Sequence, residues 1–353
     1  MPSALEPVVV MIPGDLHLKE PEQPNHVAAL RVMNDANELI RPDFVQFIGD
    51  NVEDGTDQQF GLFHDLVIRL GVPWFALVGD HDAQGDPQSR RFREHVGEPY
   101  GSLAVRGFRF LRLNTQEARP VGMLAHQIEW FQSEIDLACV ASEKVVVFQH
   151  NYPYQIWENF AGPGIDAWRE IVQTCRIHAI LSGHTHYWQL ANDGRNAVVA
   201  TRSIGDPEGG PPGYTVAAFH GDDFAVTYRS VEEEGPLVLV THPRESLLAT
   251  GPTHVVRGPD EVRARVWSTE PVLFVGLVLG DGERVAMEPV ESGSWRADLP
   301  GERLGKGTHR LMVQAEDTAG RIGEHKIEFA VDPTGRYTAV PMVRPLVTTT
   351  AFC

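Results

Sequence analysis

The sequence predicts a layered α/β fold over its first two-thirds, followed by a smaller all-β sandwich. Three observations carry this expectation. Short, continuous apolar runs alternate with amphipathic stretches from Val8 onward, as in sheets covered by helices on their outer faces. The helical period stops near the acidic run at residues 231–236. Beyond it, strand-like runs are separated by turn signals such as Gly280-Asp281-Gly282 and Asp317-Thr318-Ala319-Gly320.

The predicted strands of the first part are residues 8–13, 44–48, 74–78, 108–113, 145–148 and 178–181. Helices are expected at 25–40, 58–70, 125–139 and 166–175, where apolar residues such as Ile128, Phe131 and Ile135 recur at helical spacing. In the second part, strands are expected at 237–240, 262–267, 272–279, 295–299, 309–315 and 327–331. Strands of this number and spacing suit a β-sandwich, and the stretch GTHRLMVQAEDTAGR resembles late strands of immunoglobulin- or fibronectin-like modules. The division is then residues 1–233, 234–335 and a tail, 336–353, expected to wrap onto the body or a second subunit.

Composition narrows the function. The 353 residues carry 30 Lys and Arg against 48 Asp and Glu, a formal charge of −18, and no basic run. A nucleic-acid polymer is therefore not an expected partner, whereas a small phosphate ester remains one, because bound cations invert the field around a phosphate. Cys139, Cys175 and Cys353 are scattered, which argues against a disulfide framework or thiolate zinc site. The first residues lack a basic leader, and no apolar stretch reaches the roughly 20 residues of a membrane span. A cytoplasmic location is the expectation.

The chemistry sits at strand ends. The predicted strands run into Gly14-Asp15-Leu16-His17, Gly49-Asp50-Asn51, Gly79-Asp80-His81-Asp82, Gln149-His150-Asn151 and Gly183-His184-Thr185-His186. Loops at the carboxyl ends of parallel strands converge on one edge, so nine Asp and His side chains should meet there. Gathering that many carboxylates and imidazoles requires compensating charge, and two cations supply it. Asp and His ligands suit Mn, Fe or Zn.

The ordered series DxH, GD, GxHD, H and GHTH resembles the calcineurin-like metallophosphoesterases over about residues 8–230. The resemblance implies a four-layer α/β/β/α sandwich. It implies that Asp15, His17 and His186 hold one metal, that Asp80, His150 and His184 hold the other, and that Asp50 bridges the two. A hydroxide shared by the metals would attack phosphorus in line. His81 would meet the substrate phosphate and protonate the leaving oxygen, with Asp82 orienting its imidazole. Asn51 and Asn151 are candidates to bind a phosphate oxygen, turn residues being the other reading. The aromatic stretch after His150, residues 152–160, is weighed as a pocket wall against plain core.

One position departs from the family pattern: Asp80 stands where Asn is usual. A third carboxylate should favour harder or more highly charged ions, such as Fe³⁺ beside Mn²⁺. The expected function is hydrolysis of phosphodiesters, of the cyclic nucleotide or glycerophosphodiester type. A phosphomonoesterase or protein phosphatase with the same site is the alternative, and an inactive partner-binding scaffold the remote one. Homo-oligomers through the C-terminal domain or tail are a further expectation.

Overall fold

Residue choice explains the elements that carry the site. In the computed structural model, which describes residues 6–343 apart from 87, 155–159, 161, 207–209 and 292, the first apolar run forms β1 (Val8–Pro13), buried along its whole length. Pro24, with its φ already helical, opens α1 (Pro24–Asp35), which leads into β2 (Phe44–Phe47). Thr56 caps α2 (Asp57–Val67) by accepting from the Gln59 amide, and β3 (Trp74–Ala76) follows. Next come α3 (Arg90–His95), β4 (Gly101–Val105) and β5 (Phe108–Leu113). The chain continues through α4 (Ala125–Ala141), β6 (Lys144–Gln149), α5 (Ile165–Thr174) and β7 (Ile177–Ser182). Four strands close this part: β8 (Gln189–Asn192), β9 (Ala197–Ala200), β10 (Gly213–His220) and β11 (Asp223–Ser230).

These strands form two mixed sheets. One has the order β11-β10-β1-β2-β3, with β1, β2 and β3 parallel; the other runs β4-β5-β6-β7-β9-β8, with β5, β6, β7 and β9 parallel. The sheets face each other through Val10, Phe44, Phe110, Phe148, Leu181 and Phe219. Phe110 meets Phe44 and Phe219 edge-on, with centroids 5.1 and 5.3 Å away. Each such ring contributes roughly 1.5–3 kcal/mol through burial. Helices α1 and α2 cover the outer face of the first sheet, α4 and α5 that of the second. The result is the expected α/β/β/α sandwich.

The C-terminal part is all-β. Its strands are β12 (Leu237–His242), β13 (Asp260–Trp267), β14 (Val272–Leu279), β15 (Val285–Ala286), β16 (Glu288–Glu291), β17 (Ser294–Leu299), β18 (Gly307–Asp317) and β19 (Ile322–Val331). They form two four-stranded sheets, β12-β13-β17-β16 and β15-β14-β18-β19, around a core that includes Val262, Val275, Val313 and Phe329. Leu237, Leu239 and Trp267 pack instead into the helix-covered core of the first part.

Two connections take definite paths. In the acidic run at 231–236 the Glu232, Glu233 and Glu234 side chains are exposed while Pro236 is buried, and the buried Arg229 guanidinium ties the run down by donating to the carbonyls of Glu233 and Gly235. The tail turns back onto the first part, where the Met342 and Val343 amides donate to Asn192 O and Val343 packs beside Tyr152 and Tyr154. Residues 344–353 of the tail lie outside the described residues.

Candidate metal centre

Five strands of the two facing sheets deliver the cluster, because β1, β2 and β3 end on the same rim as β6 and β7. The chain leaves them in a conformation few side chains adopt. Asp15, His17, Asp50, His184 and His186 all have positive φ, between 40 and 68°. A left-handed non-glycine residue costs on the order of 1 kcal/mol and persists only where its surroundings enforce it. Here the enforcement is mutual. The His17 amide donates to Asp50 O, the His184 amide to Asp15 Oδ1, the His81 amide to Asp50 Oδ1, and Ser203 Oγ to Asp15 O. Asn25 Nδ2 donates to the carbonyls of Leu16 and His17, fastening the first loop to α1.

All seven sequence-predicted ligands meet. Asp15, His17, Asp50 and His186 offer ligand atoms within 4.8 Å of one another, and so do Asp50, Asp80, His150 and His184. Asp50 belongs to both groups. His150 Nε2 lies 3.3 Å from Asp50 Oδ2 and 3.1 Å from Asp80 Oδ1, and His184 Nδ1 lies 3.0 Å from Asp80 Oδ1. His150 Nδ1 donates to Ile48 O, which fixes the tautomer that leaves Nε2 for the cluster.

These groups fit two cations. His17 Nε2 is 3.2 Å from His186 Nε2, and His150 Nε2 is 3.2 Å from His184 Nδ1. Two imidazole nitrogens bound to one ion at about 2.1 Å stand about 3.0–3.4 Å apart. Asp15 Oδ2 is buried without a hydrogen-bond partner, as a carboxylate oxygen aimed at a cation would be.

The charges show the same balance. Burial, reinforced by the charge of Asp50, pushes Asp15 up against the pull of His150, His186 and His17. Burial also pushes on Asp50 and Asp80, yet His150 holds Asp50 down, and hydrogen bonds from His150 and His184 hold Asp80 well below the usual carboxylate range. For His150 burial opposes the charged ring, but Asp50, Asp80 and Asp15 raise it well above its ordinary value. The carboxylates demand positive charge, whether from protons or from metal ions.

Other predicted roles are redirected. Asp82 does not orient His81. The chain turns tightly after Gly79, with the Ala83 amide bonded back to Gly79 O, and this swings Asp82 inward. There its carboxylate accepts from the amides of Asn51, Val52 and Gly79 and from Asn51 Nδ2. Burial and the charge of Asp50 push Asp82 up to about 7, against these donors. Asn51 is equally inward, donating to Leu77 O and Asp82. Asn151 Oδ1 accepts from Thr115 and Gln116. Both asparagines are buried and tie loops together through these bonds. Tyr152, Tyr154 and Phe160 are core, and 155–159, the middle of the aromatic stretch, lies outside the described residues.

His81 does face the opening. An open cleft of about 480 Å³ is lined by His17, Lys19, Asn25, Glu53, His81 and Asp206, among others. His81 Nδ1 lies 2.7 Å from Glu53 O, leaving Nε2 as the ring atom available to a substrate. Glu53 was not singled out by any motif. It follows Asp50 by three residues on the same loop, and that proximity is the one signal the sequence holds.

A model of the calcineurin-like phosphoesterase family matches residues 8–188. The chain belongs to this family. It is similar to human tartrate-resistant acid phosphatase type 5, with 27% identity over 219 residues that cover 49% of this chain and 65% of that protein. It is also similar to an Arcobacter nitrofigilis protein named "Probable glycerophosphodiester phosphodiesterase GpdQ", with 26% identity over 159 residues, 41% of this chain and 57% of that one. Both matches span less than two-thirds of the relative. In fold, a dimetal phosphatase from Danio rerio superposes with a TM-score of 0.56 at 12% identity, over 65% of this chain and 98% of the other. Calcineurin-like phosphoesterases bind a dimetal centre, and the cluster at this rim is the candidate for it.

Proposed function

We propose that the chain hydrolyses phosphodiesters at the rim cluster, of the glycerophosphodiester or cyclic nucleotide type. The observation that carries the reading is the sharing of Asp50 by both ligand groups directly beneath His81 and the open cleft. Asp15, His17, Asp50 and His186 would hold one ion, and Asp50, Asp80, His150 and His184 the other. When bound, two divalent cations neutralise the phosphate and lower the pKa of a water near it.

The chain's own groups do the rest. His81 is held by the Glu53 carbonyl with Nε2 left for substrate. Burial lowers its pKa, but Asp50, the Glu53 carbonyl and Asp80 outweigh burial and raise it. Held this way, Nε2 is placed to give a proton to a departing alkoxide. Asp82 and Asn51 keep the loops of β2 and β3 in register, so that Asp50 and Asp80 stay together.

Preference for a diester is supported by charge. Glu53 and Asp206 line the cleft, and Lys19, paired with Asp54 at 3.3 Å, is the one Lys or Arg among the described lining residues. A singly charged diester meets less repulsion there than a doubly charged monoester. The name of the Arcobacter relative points the same way, while that of the human relative favours the monoesterase reading.

The test is Mn²⁺-reconstituted protein assayed on bis-(p-nitrophenyl) phosphate and p-nitrophenyl phosphate. A kcat/KM at least tenfold higher for the diester is expected, with Asp50→Asn losing both activities. A preference for the monoester would replace the diesterase reading with a phosphomonoesterase. Protein that retains no metal and hydrolyses neither compound would be a scaffold.

A further inference from the structure

Glu53 touches two functional imidazoles at once. Its Oε2 accepts from His17 Nδ1 at 3.0 Å, and its backbone carbonyl accepts from His81 Nδ1 at 2.7 Å. The two rings stand edge to face with centroids 4.5 Å apart. The carboxylate is also 3.8 Å from His81 Nδ1, and its side chain is 33% exposed at the cleft wall. We infer that Glu53 is a positioning residue that fixes both imidazoles, the His17 ring through its carboxylate and the His81 ring through its carbonyl.

The chemistry follows from tautomers. An imidazole that gives its Nδ1 proton to an oxygen must present Nε2 to whatever lies on its other side. For His17 that side is the cluster, where Nε2 stands 3.2 Å from His186 Nε2 and 3.8 Å from Asp50 Oδ2. For His81 it is the substrate. Carboxylate acceptance also makes His17 a more basic ligand, and loss of such a partner lowers metal affinity about 10–100-fold. One residue thereby links the first ion's site to the group that meets the leaving oxygen. Glu53 needs no contact with substrate for this role.

The inference rests on the proposed metal-dependent hydrolysis, and the experiment separates the two. Glu53→Ala removes the carboxylate, Glu53→Gln keeps an acceptor for His17, and both keep the backbone carbonyl that holds His81. Mn²⁺ binding to metal-stripped protein is measured by calorimetry, the His17 tautomer by ¹⁵N–¹H NMR, folding by thermal melting, and kcat and KM on the diester.

Glu53→Ala is expected to weaken one of two Mn²⁺ sites 10–100-fold and to broaden or switch the His17 tautomer. Compared metal-free, its melting temperature should match that of wild type, because the side chain is part-exposed. At saturating Mn²⁺ its kcat should fall more than its KM rises, and Glu53→Gln should recover most of the affinity. Wild type that binds two ions and turns over, with Glu53→Ala matching it in affinity and tautomer, would overturn the positioning role of the Glu53 side chain, leaving a backbone contact to His81 that any residue there would make. So would a third Mn²⁺ equivalent lost in both variants, since Glu53 would then be a ligand. Wild type that binds no metal and hydrolyses no ester would overturn the functional reading itself.

Discussion

Gly79 is packed against Asp50 so closely that a Cβ on Gly79 would lie 2.0 Å from Asp50 Oδ1 and 2.2 Å from the Asp50 amide nitrogen. The strand-end glycines, then, bring ligand loops onto one another more than onto an ion; Gly183 approaches Asp15 Oδ2 in the same manner, at 2.7 Å. A Gly79→Ala variant has to move backbone, not just a flexible side chain. It should lose about 1–3 kcal/mol of stability and most of the affinity for the second metal equivalent. Chemical denaturation and metal analysis after dialysis would check both, and an alanine variant that kept two tight ions would contradict the packing argument.

Asp82 should behave as a structural residue. Asp82→Ala strands the buried amides of Asn51, Val52 and Gly79, which should cost on the order of 3 kcal/mol. Asp82→Asn retains one acceptor oxygen and should fall between. If Asp82 instead tuned His81, the asparagine variant would shift the pH–rate profile while leaving the melting temperature alone.

The junction between the two parts predicts a pH dependence. His242 Nδ1 lies 2.9 Å from Asp223 Oδ1, and Nε2 lies 3.2 Å from Asp260 Oδ1. Arg263 also reaches Asp223, at 2.6 Å. Burial pulls the His242 pKa down, but the hydrogen bond to Asp223 and the nearby Asp260 carboxylate prevail and raise it to about 9. An imidazolium favoured in the folded state stabilises fully below the unfolded pKa near 6.5, and the gain is lost as pH rises through about 9. Wild type should exceed His242→Gln by on the order of 2 kcal/mol at pH 6, with the gap closing by pH 10. Urea denaturation at both values decides it, and a gap that did not change with pH would refute the assignment.

Asp80 bears on metal choice. Its Oδ1 sits 3.1 Å from His150 Nε2 and 3.0 Å from His184 Nδ1, so an Asp80→Asn variant keeps the shape and removes one negative charge. That variant should bind Mn²⁺ at least tenfold more weakly and lose any retained Fe³⁺. Elemental analysis of unchelated protein tests this. Finding only zinc in wild type, together with undiminished activity in the variant, would remove the basis for a harder ion.

Stripping the ions should destabilise the first part. A ligand present at a thousand times its dissociation constant adds about 4 kcal/mol, so chelated protein should melt several degrees lower and recover on adding Mn²⁺. An unchanged melting curve would mean that the rim holds no cation with useful affinity.

Much of the architecture could be read from residue order. The expected bounds of the strands at Val8–Pro13, Phe108–Leu113 and Val272–Leu279 coincide with those of β1, β5 and β14. The first and last are continuous apolar runs, while Phe108–Leu113 sets Arg109 and Arg112 among four apolar residues that turn inward. Short or half-exposed strands were silent: β4 buries none of its five residues fully, and β15 has two. The β10–β11 hairpin did leave a mark, since Gly221 and Asp222 separate two apolar runs, with Gly221 at a φ of 56°. At the rim, residue type and place on strand ends pointed nine Asp and His side chains to one edge, and the family resemblance singled out among them the seven candidate ligands that the structure gathers. The inward turn of Asp82, Asn51 and Asn151 depends on loop geometry after Gly79 and on partners such as Thr115, distant in sequence. Adjacency to a functional residue carries no information about that direction.

Because β1 lies between β2 and β10, the strand that leads to Asp15 gains the second of its two neighbours only when Gly213–His220 exists. The amide of His184 that holds Asp15 arrives 169 residues after it. On a ribosome adding about 5–20 residues each second, that interval lasts on the order of ten seconds or more. During it the early acidic and imidazole groups have no finished pocket, so ion capture must await release of nearly the whole first part from the exit tunnel. Nascent chains stalled near residue 200 should therefore retain no Mn²⁺, whereas chains stalled well past residue 280 should.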